Sequence, residues 1–153
     1  MSALFWHLKP SFIDYVTALP DGAITTDEGA VRTTDGSFRF PISQDNRPFD
    51  DSDGRLEYAG RVTFVGYSGL LRISLVEPCV DTVGGRSRLS VVDTAYGDDR
   101  TRRTRLCSLE SVDARIGPGH ASVMHSYLSI DGLHIFDGNY PAGTDLGKVI
   151  VTT

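Results

Sequence analysis

Residues 61–75 read Arg-Val-Thr-Phe-Val-Gly-Tyr-Ser-Gly-Leu-Leu-Arg-Ile-Ser-Leu, and their pattern decides the fold class. Val62 and Phe64 alternate with Arg61 and Thr63, and Leu71, Ile73 and Leu75 alternate with Arg72 and Ser74. A period of two marks strands with one buried face. Gly66 and Gly69 bracket Tyr67 and Ser68, so the two runs close into a hairpin that carries Tyr67 at its tip. Upstream, Leu56 and Tyr58 continue the alternation around Glu57, which predicts strand from there into the hairpin.

The same period recurs down the chain. Gly84-Gly85 separates the run ending at Val83 from another at Arg88–Val92, and alternation returns from Ala121 onward. There Met124, Leu128 and Ile130 fall on one parity, with Val123, His125, Tyr127 and Ser129 on the other. Asp131-Gly132 predicts a further hairpin, with Leu133 to Asp137 returning antiparallel. Lys148–Thr152 is rich in β-branched residues and closes the chain as a strand. The charged stretch 98–105 reads as loop, with Arg100, Arg102, Arg103 and Arg105 beside Asp98 and Asp99 as a solvated, charge-mixed segment.

One segment follows a different rule. Phe12, Tyr15, Val16 and Leu19 form an i, i+3, i+4, i+7 stripe that opens at Pro10-Ser11 and stops at Pro20-Asp21-Gly22. A short N-terminal helix is therefore expected. Read from the stripe alone, Tyr15 is a core tyrosine with its hydroxyl at the rim; read functionally, it is a ligand contact. The expected fold is mainly β: antiparallel sheets in a barrel-like sandwich with one short helix, in a single domain over residues 1–153.

Composition narrows the function. The chain has 153 residues and a formal net charge of −5, from 15 Lys plus Arg against 20 Asp plus Glu. Such a balance argues against nucleic-acid partners and anionic membrane surfaces, both of which demand a basic field. The start of the sequence lacks the pattern of a secretory signal, so a cytoplasmic location is expected. Cys79 and Cys107 are then expected as free thiols in or near a core. No zinc-binding spacing, phosphate-binding loop or nucleophile elbow occurs, and no metal site is expected. His125 and Tyr127 share a strand face that is either solvated or the lining of a cavity.

Three blocks of residues carry a family resemblance. Trp6, Lys9, Ser11, Phe12 and Tyr15 form the first; Gly60, Phe64, Gly66, Gly69, Leu71, Pro78, Gly85 and Leu89 the second. The third is Gly132, Phe136 and Tyr140-Pro141-Ala142-Gly143-Thr144 with Leu146. In residues and order they resemble the HtaA domains, actinobacterial haem-binding modules. The resemblance implies an antiparallel β structure whose short helix walls a hydrophobic pocket. It also implies a tyrosinate on the haem iron, with Tyr15 at the matching position. The family's supporting histidine, at the hairpin tip, corresponds here to Tyr67.

Two functional expectations follow. In the first, the pocket is repurposed for a bulky apolar small molecule, as a cofactor-independent cyclase of a polyketide-like substrate. Tyr15 and Tyr67 would then be the catalytic hydrogen-bond donors, with Trp6, Phe12, Phe64, His125, Tyr127 and Tyr140 contacting substrate. In the alternative, the protein binds haem as a carrier or sensor, with Tyr15 as the iron ligand.

Overall fold

A computed structural model describes residues 2–44, 54–116 and 121–152. Twelve strands and one α-helix make up its regular structure: β1 (Ala3–Leu8), α1 (Pro10–Ala18), β2 (Ala23–Asp27), β3 (Val31–Arg32), β4 (Phe38–Pro41), β5 (Gly54–Glu57), β6 (Arg61–Gly66), β7 (Leu71–Val76), β8 (Cys79–Val83), β9 (Arg86–Val92), β10 (Arg103–Ile116), β11 (Ala121–Leu128) and β12 (Asp145–Thr152). Short 3₁₀ turns cover Tyr67–Gly69, Thr94–Tyr96 and Ile130–Phe136. Nine strands form one antiparallel sheet in the order β3-β4-β1-β12-β11-β10-β9-β8-β5, and β2-β6-β7 form a second. The expected class, mainly β with one short N-terminal helix, is the one observed.

The core lies between the two sheets. Leu4, Trp6, Leu89 and Val149 from the large sheet are buried with Phe64, Ile73 and Leu75 from the small one. Phe38 and Phe64 meet edge to face across the layers, with ring centroids 5.7 Å apart. Alternation drives this arrangement: each strand turns its apolar parity inward, where burial of a large side chain contributes about 1.5–3 kcal/mol.

Helix α1 forms where the stripe predicts it, with Pro10 in its first turn and Phe12 and Val16 buried. Phe12 packs edge to face on Phe64 and Phe136, with centroids 5.0 and 5.5 Å apart. The N-terminal end of the helix is tied to the far end of the chain. The Leu146 carbonyl accepts hydrogen bonds from the Lys9 amide at 2.9 Å and from Trp6 Nε1 at 3.2 Å. At Gly147 a Cβ would lie 1.9 Å from the His7 carbonyl oxygen, so only glycine lets β12 approach β1 this closely.

Three local expectations need correction. The run from Leu56 to Phe64 is two strands in two sheets, β5 and β6, separated where Gly60 takes φ +123 against Ala30. Asp131-Gly132 is no hairpin but part of the 3₁₀ segment Ile130–Phe136, so Leu133 to Asp137 does not return as a strand. Gly132 serves close packing: a Cβ there would sit 2.9 Å from Leu106 Cα. The charged stretch is loop only to Arg102, because Arg103 and Arg105 lie on β10. Gly84-Gly85, by contrast, is the tight turn expected, both residues having positive φ between the paired Val83 and Arg86.

Candidate functional site

The residues of interest converge where α1 meets the β6–β7 hairpin. Leu19, just beyond the helix, packs so tightly on Gly66 that a Cβ there would lie 2.5 Å from Leu19 Cδ1. Pro20 ends the helix, and the chain turns under it toward the hairpin. Asp21 then grips the tip: its carboxylate accepts the Tyr67 amide at 3.0 Å and the Ser68 amide at 2.6 Å. These two hydrogen bonds, Ser68 first, hold the Asp21 carboxyl below its ordinary range.

The grip has a conformational purpose. Tyr67 and Ser68 both take left-handed backbone angles, φ 50 and 56, and Gly69 continues at φ 91. Non-glycine residues adopt that region at a cost, and here the clamped amides offset it. The result aims Tyr67 at α1. Its phenol oxygen lies 2.9 Å from that of Tyr15, a hydrogen bond between residues 52 positions apart, with the rings edge to face at 6.4 Å.

Both phenols are open to solvent, Tyr15 at 41% and Tyr67 at 51% exposure. Tyr15 is thus not a core side chain, although it shares a helix with Phe12 and Val16. The hydrogen bond to Tyr67, reinforced by partial desolvation and by Tyr140 nearby, raises the Tyr15 pKa above the ordinary phenol value. Apolar surface flanks the pair: Leu70, on the same tip, is 88% exposed. Tyr140 packs edge to face on Phe12 at 6.2 Å and on Phe136 at 6.0 Å, with the Lys9 ammonium 5.8 Å above its ring. The Tyr140–Thr144 turn is itself docked on β11, where the Leu128 amide donates to the Thr144 carbonyl at 2.8 Å.

The other expected contacts divide. Phe12, on the same helix as Tyr15, is buried against Phe64 and Phe136. Trp6 and Phe64 have no exposed surface, so they support the wall from within the core and do not face a ligand. His125 and Tyr127 lie elsewhere. The cross-strand row His7, Lys148, His125, Glu110 places them on the outer face of the large sheet, opposite the buried row of Trp6, Val149 and Met124. That face is partly solvated, the first of the two readings offered for it. His125 Nδ1 is 4.0 Å from an Asp145 carboxylate oxygen. Asp21 was not singled out from the sequence; its signal was its place in the Pro-Asp-Gly stop, which reads as punctuation only.

Remaining features are structural. Cys79 and Cys107 are buried and free, and burial pushes the Cys79 thiol up to about 11. Among the described residues no group of His, Cys, Asp and Glu could hold a metal ion, and no helix is long and apolar enough to cross a membrane.

The HtaA family model, described as Htaa, matches residues 2–152. The chain belongs to the HtaA family. Its fold matches the C-terminal domain of HtaA from Corynebacterium glutamicum at a TM-score of 0.75 and 19% identity, covering 99% of this chain and 94% of that one. The N-terminal domain of the same HtaA gives 0.72 and 21%, with 100% and 97% covered. Heme binding protein HtaB from C. glutamicum gives 0.69 and 18%, with 98% and 90% covered. No curated protein matches the sequence significantly. The first of the three sequence blocks runs from β1 into the helix, the second from the β6–β7 hairpin to β9, and the third from the Ile130–Phe136 segment through the docked Tyr140–Thr144 turn to β12.

Proposed function

We propose that this HtaA-family chain binds haem, with Tyr15 as the ligand to ferric iron and Tyr67 as the hydrogen-bond donor that supports it. The observation that carries the reading is the 2.9 Å contact between the two phenol oxygens at an open, apolar-flanked surface. The donor set suits the group. A phenolate is a hard anionic oxygen ligand, matched to ferric iron, which supplies the positive charge that compensates its lost proton. Leu70 on the hairpin tip and Tyr140 beside Phe12 offer apolar surface for a flat macrocycle.

In the ligand-free protein Tyr15 donates its hydroxyl proton to Tyr67. Once Tyr15 is deprotonated it can only accept, so the Tyr67 hydroxyl rotates and becomes the donor. Only a rotor changes; no heavy atom has to move. Tyr67 thereby fills the supporting position that the family resemblance gives to histidine, with a hydroxyl in place of an imidazole. The likeness to heme binding protein HtaB supports the same reading.

The cyclase expectation gains no such support. Cyclisation by substrate folding calls for an enclosed chamber that excludes water, whereas Tyr15 and Tyr67 stand open to solvent. Haemin titration followed by absorbance tests the proposal. The expected result is a one-to-one complex with a tyrosinate-type spectrum, lost in Tyr15→Phe. A protein that leaves the haemin spectrum unchanged, or a complex indifferent to Tyr15→Phe, overturns it.

A further inference from the structure

The outer face of the large sheet carries a group of arginines that is only partly compensated, on strands other than the elements that carry the tyrosine pair. Cross-strand pairing places Arg55 opposite Asp81, Asp81 opposite Arg88, and Arg105 opposite Ser90. Arg103 lies two residues from Arg105 on the same strand face. Together Arg55, Arg88, Arg103 and Arg105 line a groove of about 360 Å³ in which, among the described residues, Asp81 is the only acidic one.

The four guanidinium groups are not equally engaged. Arg55 pairs with Glu57 at 2.9 Å and lies 3.8 Å from Asp81. Arg103 is held directly by neutral acceptors, the Glu77 and Ser90 carbonyls and Ser90 Oγ, while the Glu77 and Glu57 carboxylates act on it only through space. Arg88 and Arg105 form no ion pair with any described residue. Their neighbours in sequence show the contrast: Arg100 is neutralised by Glu28 and Glu77, and Arg102 faces Asp99. The solvated, charge-mixed reading of residues 98–105 thus holds for Arg100 and Arg102. Arg103 and Arg105 differ because β10 carries them to Arg55 and Arg88 from two other strands.

Like charges set side by side on a sheet destabilise it unless a counter-charge intervenes; Asp81 intervenes between Arg55 and Arg88, whereas Arg105 faces the neutral Ser90. A chain of net charge −5 gains nothing in solubility from concentrating cations here. We propose that this groove is a binding site for a small phosphate monoester. Guanidinium forks match phosphate oxygens in paired hydrogen bonds, and Arg88 and Arg105, which form no ion pair with a described residue, beside Arg103, which is held by neutral acceptors, suit a dianion. The groove falls within the usual size of a small-molecule site, with room for an organic group beside the phosphate and Val83 as an apolar edge.

Titration calorimetry with inorganic phosphate and with glycerol phosphate, at ionic strength matched with chloride, tests the site. Both ligands are expected to bind, and the double variant Arg88→Gln, Arg105→Gln is expected to weaken them by at least about tenfold. Both side chains reach solvent and neither serves the core, and an unchanged far-UV spectrum and melting curve confirm an intact fold. Haemin titration of the variant is expected to match the parent, which separates this site from the tyrosine pair. A lipid headgroup offers the same chemistry, so sedimentation with phosphatidate vesicles distinguishes the sources: retention that the double variant abolishes assigns the lipid form, and its absence with glycerol phosphate bound assigns the soluble ester. No binding of any of these probes, or binding unaffected by the double variant, overturns the proposal.

Discussion

Tyr15–Tyr67 and His125–Tyr127 are both aromatic, polar pairs, and the sequence marks both as possible contacts. Their surroundings differ in kind. Tyr15 and Tyr67 come from a helix and a hairpin tip, 52 residues apart, and meet through a hydrogen bond that Asp21 prepares by fixing a left-handed turn. His125 and Tyr127 are neighbours on one face of one strand, with ring centroids 6.1 Å apart, and that proximity follows from strand geometry alone. The comparison teaches that two elements converging with conformational strain is a stronger sign of a site than shared facing on a strand.

That contrast can be broken in several ways. The largest effect is expected from Tyr15→Phe, which should cost more than about 100-fold in haemin affinity, since even outer-shell partners contribute about 10- to 100-fold to metal binding. Next is pH. A phenol is protonated below its ordinary pKa and the upward shift of Tyr15 reinforces this in the free protein, so binding as phenolate releases its proton. Apparent affinity should therefore rise with pH, by up to about tenfold per unit between about pH 6 and 9. A flat profile in equilibrium titrations would break the assignment.

Smaller effects sharpen it. Tyr67→Phe removes the donor but leaves the ring, and should weaken haemin by about tenfold while the protein stays folded. Asp21→Ala frees the tip without touching either phenol; a loss of about fivefold is expected, together with faster exchange of the Tyr67 and Ser68 amides. His125→Gln and Tyr127→Phe should change affinity by less than about twofold, because neither adjoins the pair. A large loss from either would erase the distinction between the two regions.

The legible parts of the fold are those in which one local pattern has one physical cause. The α1 stripe, the Gly66–Gly69 tip and the Gly84-Gly85 turn are of this sort. Where a residue answers to a distant partner, the local pattern misleads. Gly132 follows Asp131 as in a tight turn, yet it is glycine to let Leu106 approach. Gly60 interrupts what reads as one alternating run, because Ala30 packs against it while the chain crosses between sheets. At the site, Tyr15 and Tyr67 were visible as aromatic residues at marked places, but the clamp from Asp21 was not. Nothing within a few residues of Asp21 reveals that its carboxylate meets amides 46 and 47 positions away. Trp6 and Phe64 show the reverse error, since aromatic residues beside a site signature also serve the core under it.

The central claim is that one phenol holds the iron while the other supports it. Resonance Raman spectroscopy of the ferric haem complex tests this most directly, through the iron–phenolate stretching and phenolate ring modes. The expected result is that these modes appear in the parent protein, shift in Tyr67→Phe and vanish in Tyr15→Phe. Their absence from the parent complex, or their persistence in Tyr15→Phe, would contradict the account.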